Sequence, residues 1–70
     1  MNIQKKIGKR VAELRRELNL SQEQLAAKTD LHEDYIGKIE RGERSPSVKR
    51  LEIIIKSLNS SFKDFFKNFS

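Results

Sequence analysis

The 70-residue sequence has no cysteine and no tryptophan, one proline, three glycines and one histidine. Without cysteine there is no disulfide framework, no thiolate zinc site and no thiol nucleophile, and such a composition suits a reducing cytoplasm. A lone histidine, His32, can neither build a metal cluster nor complete a catalytic triad. Apolar runs stop at three residues, as in Ile53-Ile54-Ile55, so no segment approaches the roughly 20 residues that span a bilayer. The basic N-terminus has no apolar stretch behind it, which argues against a signal peptide. There is no Gly-rich phosphate loop and no pair of carboxylates in a plausible cleft. An enzyme is therefore rejected, and no cofactor, metal, membrane or small-molecule ligand is expected.

Charge is what the chain has in quantity. Fifteen basic residues against ten acidic ones leave a net +5, with an isoelectric point near 9.8. A balance of that sign favours a polyanionic partner, nucleic acid first. Residues 1–18 carry six basic and two acidic side chains, residues 19–45 four and six, and residues 46–70 five and two. The ends of the chain thus attract polyanions more than its middle does.

Seventy residues make one domain, and its hydrophobic pattern is helical throughout. Ile3, Ile7, Val11, Leu14 and Leu18 recur at spacings of three and four and define a first helix over residues 3–18. Gly8 inside it costs about 1 kcal/mol relative to alanine, and Asn19 can end it in the left-handed conformation. Ser21 and Gln24 form a capping box, with Leu20 and Leu25 as its hydrophobic staple, so a second helix runs from Gln22 to about Lys28. Thr29-Asp30 turns the chain. His32 then caps a third helix whose inward residues are Ile36 and Ile39 and whose first turn holds Glu33 and Asp34, where negative charge suits the helix dipole. Gly42 stops it. Ser47 caps a fourth helix with the stripe Val48, Leu51, Ile54, Ile55 and Leu58, and Ser61 opens a fifth, over residues 62–69, that holds all four phenylalanines. The expected fold is a compact all-α bundle of five helices.

The segment from Ser21 to residue 41 reads as helix, tight turn, helix. Such a unit lets one helix cross a DNA backbone while the next enters the major groove. LSQEQLAAKTDLHEDYIGKIERGERSPS resembles the helix-turn-helix of the Cro and phage-repressor class of bacterial regulators. The elements L-SQ-x-x-LA, YI-x-x-IERG and S-P-S match position by position, and the likeness extends over about residues 5–66. Within that class the tract DLHEDYIGKIERGER is most similar to the small controller proteins of restriction–modification systems. The resemblance implies a lambda-repressor-like domain that binds duplex DNA.

Carried over residue by residue, the resemblance assigns base reading to Glu33, Asp34, Gly37 and Lys38 on the exposed face of the third helix. A carboxylate can accept from the cytosine amine, and Lys38 can donate to guanine. The competing reading is that the two acids only cap the helix and repel phosphate. Phosphate contacts fall to Gln22, Tyr35, Arg41 and Arg44, with packing over the second helix as the alternative for Tyr35. Arg15 and Glu40 stand where the family has a structural ion pair. Asn19, Asp30 and Asn59 replace family glycines, and His32 replaces a Ser or Thr cap.

Members of this class bind as dimers to half-sites about 34 Å apart. Ile53 lies on the outer side of the fourth helix, where the family commonly has a polar residue. The phenylalanines occupy one face of the fifth, with Phe62 and Phe66 assigned to the core and Phe65 and Phe69 divided between core and dimer contact. The expected dimer surface is accordingly Ile53, Phe65 and Phe69; a monomer with an all-core fifth helix is the alternative. The sequence ends after that helix, leaving no room for a ligand-sensing domain, so regulation falls to concentration, dimerisation and operator arrangement. Repression of its own promoter is the default outcome, and activation calls for contact with RNA polymerase or another protein partner. Two other functions fit the same fold: an antitoxin-like module regulated by a partner, which would co-purify with an unrelated chain, and a purely protein-binding module, which would show no salt-dependent DNA binding.

Overall fold

The computed structural model describes residues 2–69, which form five helices: α1 Ile3–Glu17, α2 Gln22–Thr29, α3 Glu33–Glu40, α4 Val48–Ser57 and α5 Phe62–Phe65. Each start has a side-chain cap. Asn2, Ser21, His32, Ser47 and Ser61 accept from backbone N–H groups two or three residues ahead, which satisfies donors that a helix leaves unpaired. The stops of α1 to α4 obey one rule. Asn19, Asp30 and Asn59 each sit at φ 58° and Gly42 at φ 75°, in the left-handed region that asparagine, aspartate and glycine tolerate best.

The core is drawn from every helix: Ile7 and Val11 from α1, Leu25 and Ala26 from α2, Ile36 and Ile39 from α3, Leu51, Ile54 and Ile55 from α4, and Phe65 from α5. Gly8 is what lets α1 and α3 meet. A β-carbon there would collide with the backbone carbonyl oxygen of Ile39 and lie 2.8 Å from that of Glu40. The glycine that looks costly in an isolated helix is thus required for the approach of its neighbour.

Three expectations for the C-terminal half need correction. The fifth helix ends at Phe65 rather than at residue 69. Arg10 of α1 caps that end: its Nε donates to the Phe65 carbonyl (3.0 Å) and its Nη2 to that of Asp64 (3.1 Å). Those are the two carbonyls that a longer helix would offer to residues 68 and 69. Second, Phe65 is fully buried while Phe62 remains 39% exposed, reversing the expected division. Phe65 sits at the centre of the cluster, edge-on to Phe66 (centroids 4.9 Å), with Phe69 6.1 Å away; it has no surface to give a partner. Third, Val48 is 78% exposed, because the first turn of α4 precedes the point where that helix meets the core. Ile3 and Leu18, at the two ends of α1, are likewise exposed.

Candidate nucleic-acid interface

Helices α2 and α3 form the helix-turn-helix. Ser21 Oγ accepts from the Gln24 N–H (3.0 Å) while Gln24 Oε1 accepts from the Ser21 N–H (2.8 Å), which sets where α2 begins. At its other end the left-handed Asp30 lets the Leu31 N–H reach back to the Ala26 carbonyl (3.1 Å). Thr29, buried at the turn, donates its hydroxyl to the Leu25 carbonyl (2.9 Å). Then His32 Nδ1 accepts from the Asp34 N–H (3.1 Å), a cap available only to the neutral imidazole because the imidazolium has no acceptor.

The angle between the units is set by a charged network under the turn. Arg15 Nε donates to Glu40 Oε2 (2.7 Å) and Arg15 Nη2 to Glu40 Oε1 (3.0 Å), a two-pronged pair with both side chains almost buried. The Leu20 carbonyl takes a third bond, from Arg15 Nη1 (2.8 Å), and Gln22 Nε2 donates to Glu40 Oε1 (3.0 Å). The hydrogen bonds to Glu40 hold the Arg15 guanidinium above its ordinary range, more than offsetting burial. Four segments therefore converge on one ion pair: α1, the loop after it, the start of α2 and the end of α3. Among the described residues no buried side-chain polar atom lacks a partner.

On the outer face of α3, Glu33, Asp34 and Lys38 are exposed. Gly37, expected beside them as a base reader, is buried and does not offer open surface. A β-carbon at Gly37 would lie 3.0 Å from Arg41 Nη1 and 3.4 Å from Gln22 Oε1, so the arginine and the glutamine roof over it. Arg41 leans back along the helix, and its Nε donates to Glu43 Oε2 at 2.7 Å. That bond raises the Arg41 guanidinium and holds the Glu43 carboxyl below its usual range.

Tyr35 is half-buried beside the exposed loop after α3. The guanidinium carbons of Arg44 and Arg50 lie over its ring, 5.0 and 5.3 Å from the centroid. The pattern of the sequence pointed to Arg44 but not to Arg50. Only the tertiary packing of α4 against the loop brings that side chain to the ring; its one local signal is the positive balance of residues 46–70. Gln4 of α1 adds a further tie, donating to the Gly42 carbonyl (2.7 Å) just past the end of α3. The face thus contains Glu33, Asp34 and Lys38 along α3, Arg41 across Gly37, and Arg44 and Arg50 around Tyr35.

Among the described residues, no group of histidine and acidic side chains could hold a metal ion, and no helix is long and apolar enough to cross a membrane.

A two-helix reading unit on an all-α scaffold defines a class of DNA-binding domain. Residues 11–65 match the helix-turn-helix family model, and the chain belongs to that family. It is 44% identical over 61 residues to the control protein C.SmaI of Serratia marcescens, covering 87% of this chain and 73% of that protein. Over 64 residues it is also 44% identical to the control protein C.BamHI of Bacillus amyloliquefaciens, covering 90% of this chain and 79% of the other. The fold is similar to that of the restriction–modification controller C.Esp1396I, solved as a tetramer in complex with its natural 35 base-pair operator. That likeness has a TM-score of 0.88 and 36% identity, covering 96% of this chain and 88% of that one. The controller C.AhdI of Aeromonas hydrophila compares with a TM-score of 0.84 and 35% identity, over 89% and 94% of the two chains.

Proposed function

We infer that the chain is a sequence-specific regulator of transcription that binds duplex DNA as a dimer on a palindromic operator, its own promoter included. One observation carries this reading: the Arg15–Glu40–Gln22 network fixes α3 at a set angle, with Glu33, Asp34 and Lys38 turned outward from a rigid support. Side chains so held can read base edges, Lys38 at guanine and a carboxylate at cytosine. Lys38 apart, the positive groups ring that face rather than occupy its centre. Arg41, Arg44 and Arg50 suit phosphates, and so does the Gln22 backbone N–H at the start of α2, whereas the Gln22 side chain is committed to Glu40. Tyr35, with its ring held between loop and α4, can turn its hydroxyl to the same backbone.

The described chain measures 30 × 23 × 21 Å, less than the roughly 34 Å between successive major-groove faces, so one copy engages one half-site. A second copy is accommodated by the apolar groups left on α4, on α5 and just after it, namely Ile53 at 36% exposure, Phe62 and the partly buried Phe69. This replaces Phe65 with Phe62 in the expected dimer surface. A two-fold contact there places two α3 faces on one duplex. The fold and basic charge also agree with an antitoxin-like role, but the built α3 face favours DNA. Contact with RNA polymerase belongs to the same proposal as the route to activation.

Footprinting of purified protein on the DNA upstream of its own coding sequence tests the reading. Two protected half-sites with inverted symmetry, one helical turn apart, are expected. Uniform protection along the duplex, or none, would contradict it.

A further inference from the structure

Arg41 is the cation best placed to meet DNA from the end of α3, yet it is not at rest in solvent. Its guanidinium lies over Gly37, and its Nε is bonded to Glu43, two residues on, at 2.7 Å. Both side chains are more than half exposed, so neither is needed by the core. The close approach to Gly37 shows why the pose is available: a side chain at that position would occupy the lane that Arg41 takes back along the helix. Asp34, one face-repeat before Arg41, and Glu40 add further negative charge around it.

We propose that Glu43 is an affinity-limiting residue that latches Arg41 across Gly37 in the free protein and must release it when α3 meets the phosphate backbone. The proposal rests on the DNA-binding reading above and adds a regulator of that same face. One N–H serves one acceptor, so a phosphate gripped along the Nε edge of the guanidinium displaces Glu43, and one met through the Nη groups alone still faces the Glu43 carboxylate. The exchange has a cost that Gly37 and Glu43 impose together, and an exposed pair sets it small. Exposed pairs of this kind are weak, so release of the latch tightens binding about two- to five-fold. Arg41 and Glu43 hold each other's titration apart in the same sense, the arginine up and the carboxyl down.

The test is a set of binding titrations on the upstream duplex and a scrambled duplex at fixed low salt, with wild type, Glu43→Gln, Glu43→Asp, Arg41→Gln and the double variant Arg41→Gln/Glu43→Gln. Glu43→Gln should tighten binding about two- to five-fold in the wild-type background and leave it unchanged once Arg41 is replaced. Glu43→Asp keeps the charge on a side chain one methylene shorter, which weakens the bond to Arg41 Nε, and it should also tighten binding. Equal tightening by Glu43→Gln with and without Arg41, together with no effect of Glu43→Asp, would mean that Glu43 merely repels DNA, and the latch is then wrong. So is an Arg41→Gln variant that binds as well as wild type. Failure of the wild type to bind either duplex overturns the DNA-binding reading and the latch together, whereas tight wild-type binding without the coupling overturns the latch alone.

Discussion

Arg15 and Glu40, on helices α1 and α3, meet edge to edge through two hydrogen bonds of 2.7 and 3.0 Å, and Gln22 of α2 donates to the same carboxylate. The pair thus joins the reading helix to both of its supports. Removing one partner strands the other. Glu40→Ala should lower stability by about 3 kcal/mol, since an uncompensated, nearly buried guanidinium remains. Replacing both residues, Arg15→Met with Glu40→Leu, should cost much less than the sum of the single changes. Urea denaturation followed by circular dichroism measures all three; strictly additive losses would show that the two side chains act separately.

Gly8 tests the packing of the same two helices. Alanine is the better helix former by about 1 kcal/mol, so an exposed site would gain stability from the change. Here the new methyl group meets the carbonyl oxygens of Ile39 and Glu40, and overpacking of that kind costs about 1–3 kcal/mol. Because the clash is with backbone that cannot swing aside, Gly8→Ala should lower the melting temperature. A raised melting temperature would show that α1 and α3 are not held this close in solution.

The Arg41–Glu43 bond has a pH signature. The Glu43 carboxyl is held below its ordinary range, first by the hydrogen bond from Arg41 and then by its charge. A depressed carboxyl contributes stability that is complete above its unfolded value and is lost as pH falls through the lower folded one. The pair is therefore intact at neutral pH and fails only in acid. Carboxyl-resolved NMR titration should place the Glu43 midpoint below that of an ordinary glutamate, and Arg41→Gln should return it to the ordinary range. An unchanged midpoint in that variant would assign the shift to another source.

For assembly, Ile53→Glu places a charge on an apolar group that is 36% exposed and lies outside the buried core. Sedimentation equilibrium should show dimer giving way to monomer, while the melting temperature of the monomeric fold changes little. If wild type and variant have the same mass, the two-fold contact lies elsewhere.

Local chemistry was the part of this fold that could be read in advance. Ser21 with Gln24, Ser47 with its serine hydroxyl, and the left-handed Asn19, Asp30 and Asn59 act over two to four residues, so their signals lie within the sequence window that shows them. The cap on the end of α5 was not legible, because Arg10, which takes the Asp64 and Phe65 carbonyls, lies more than fifty residues away along the chain. Phe62 and Phe65 share a helical face, and only the position of α5 against α1 and α4 decides which of them is buried. The site divides the same way. Exposure of Glu33, Asp34 and Lys38 follows from the period of α3, and the Arg15–Glu40 pairing came from the family resemblance. The cover over Gly37 and the arrival of Arg50 at Tyr35 depend on long side chains bending back over neighbours, which spacing does not encode.

Fluorescence anisotropy tests whether the α3 face reads duplex DNA. The duplex from upstream of the chain's own coding sequence and a scrambled duplex of equal composition would each be titrated across a salt series. Binding to the first should be at least about a thousand-fold tighter, and its affinity should fall with salt on a log–log slope of roughly −0.9 per phosphate neutralised. Equal affinity for both duplexes, or binding indifferent to salt, would contradict that reading.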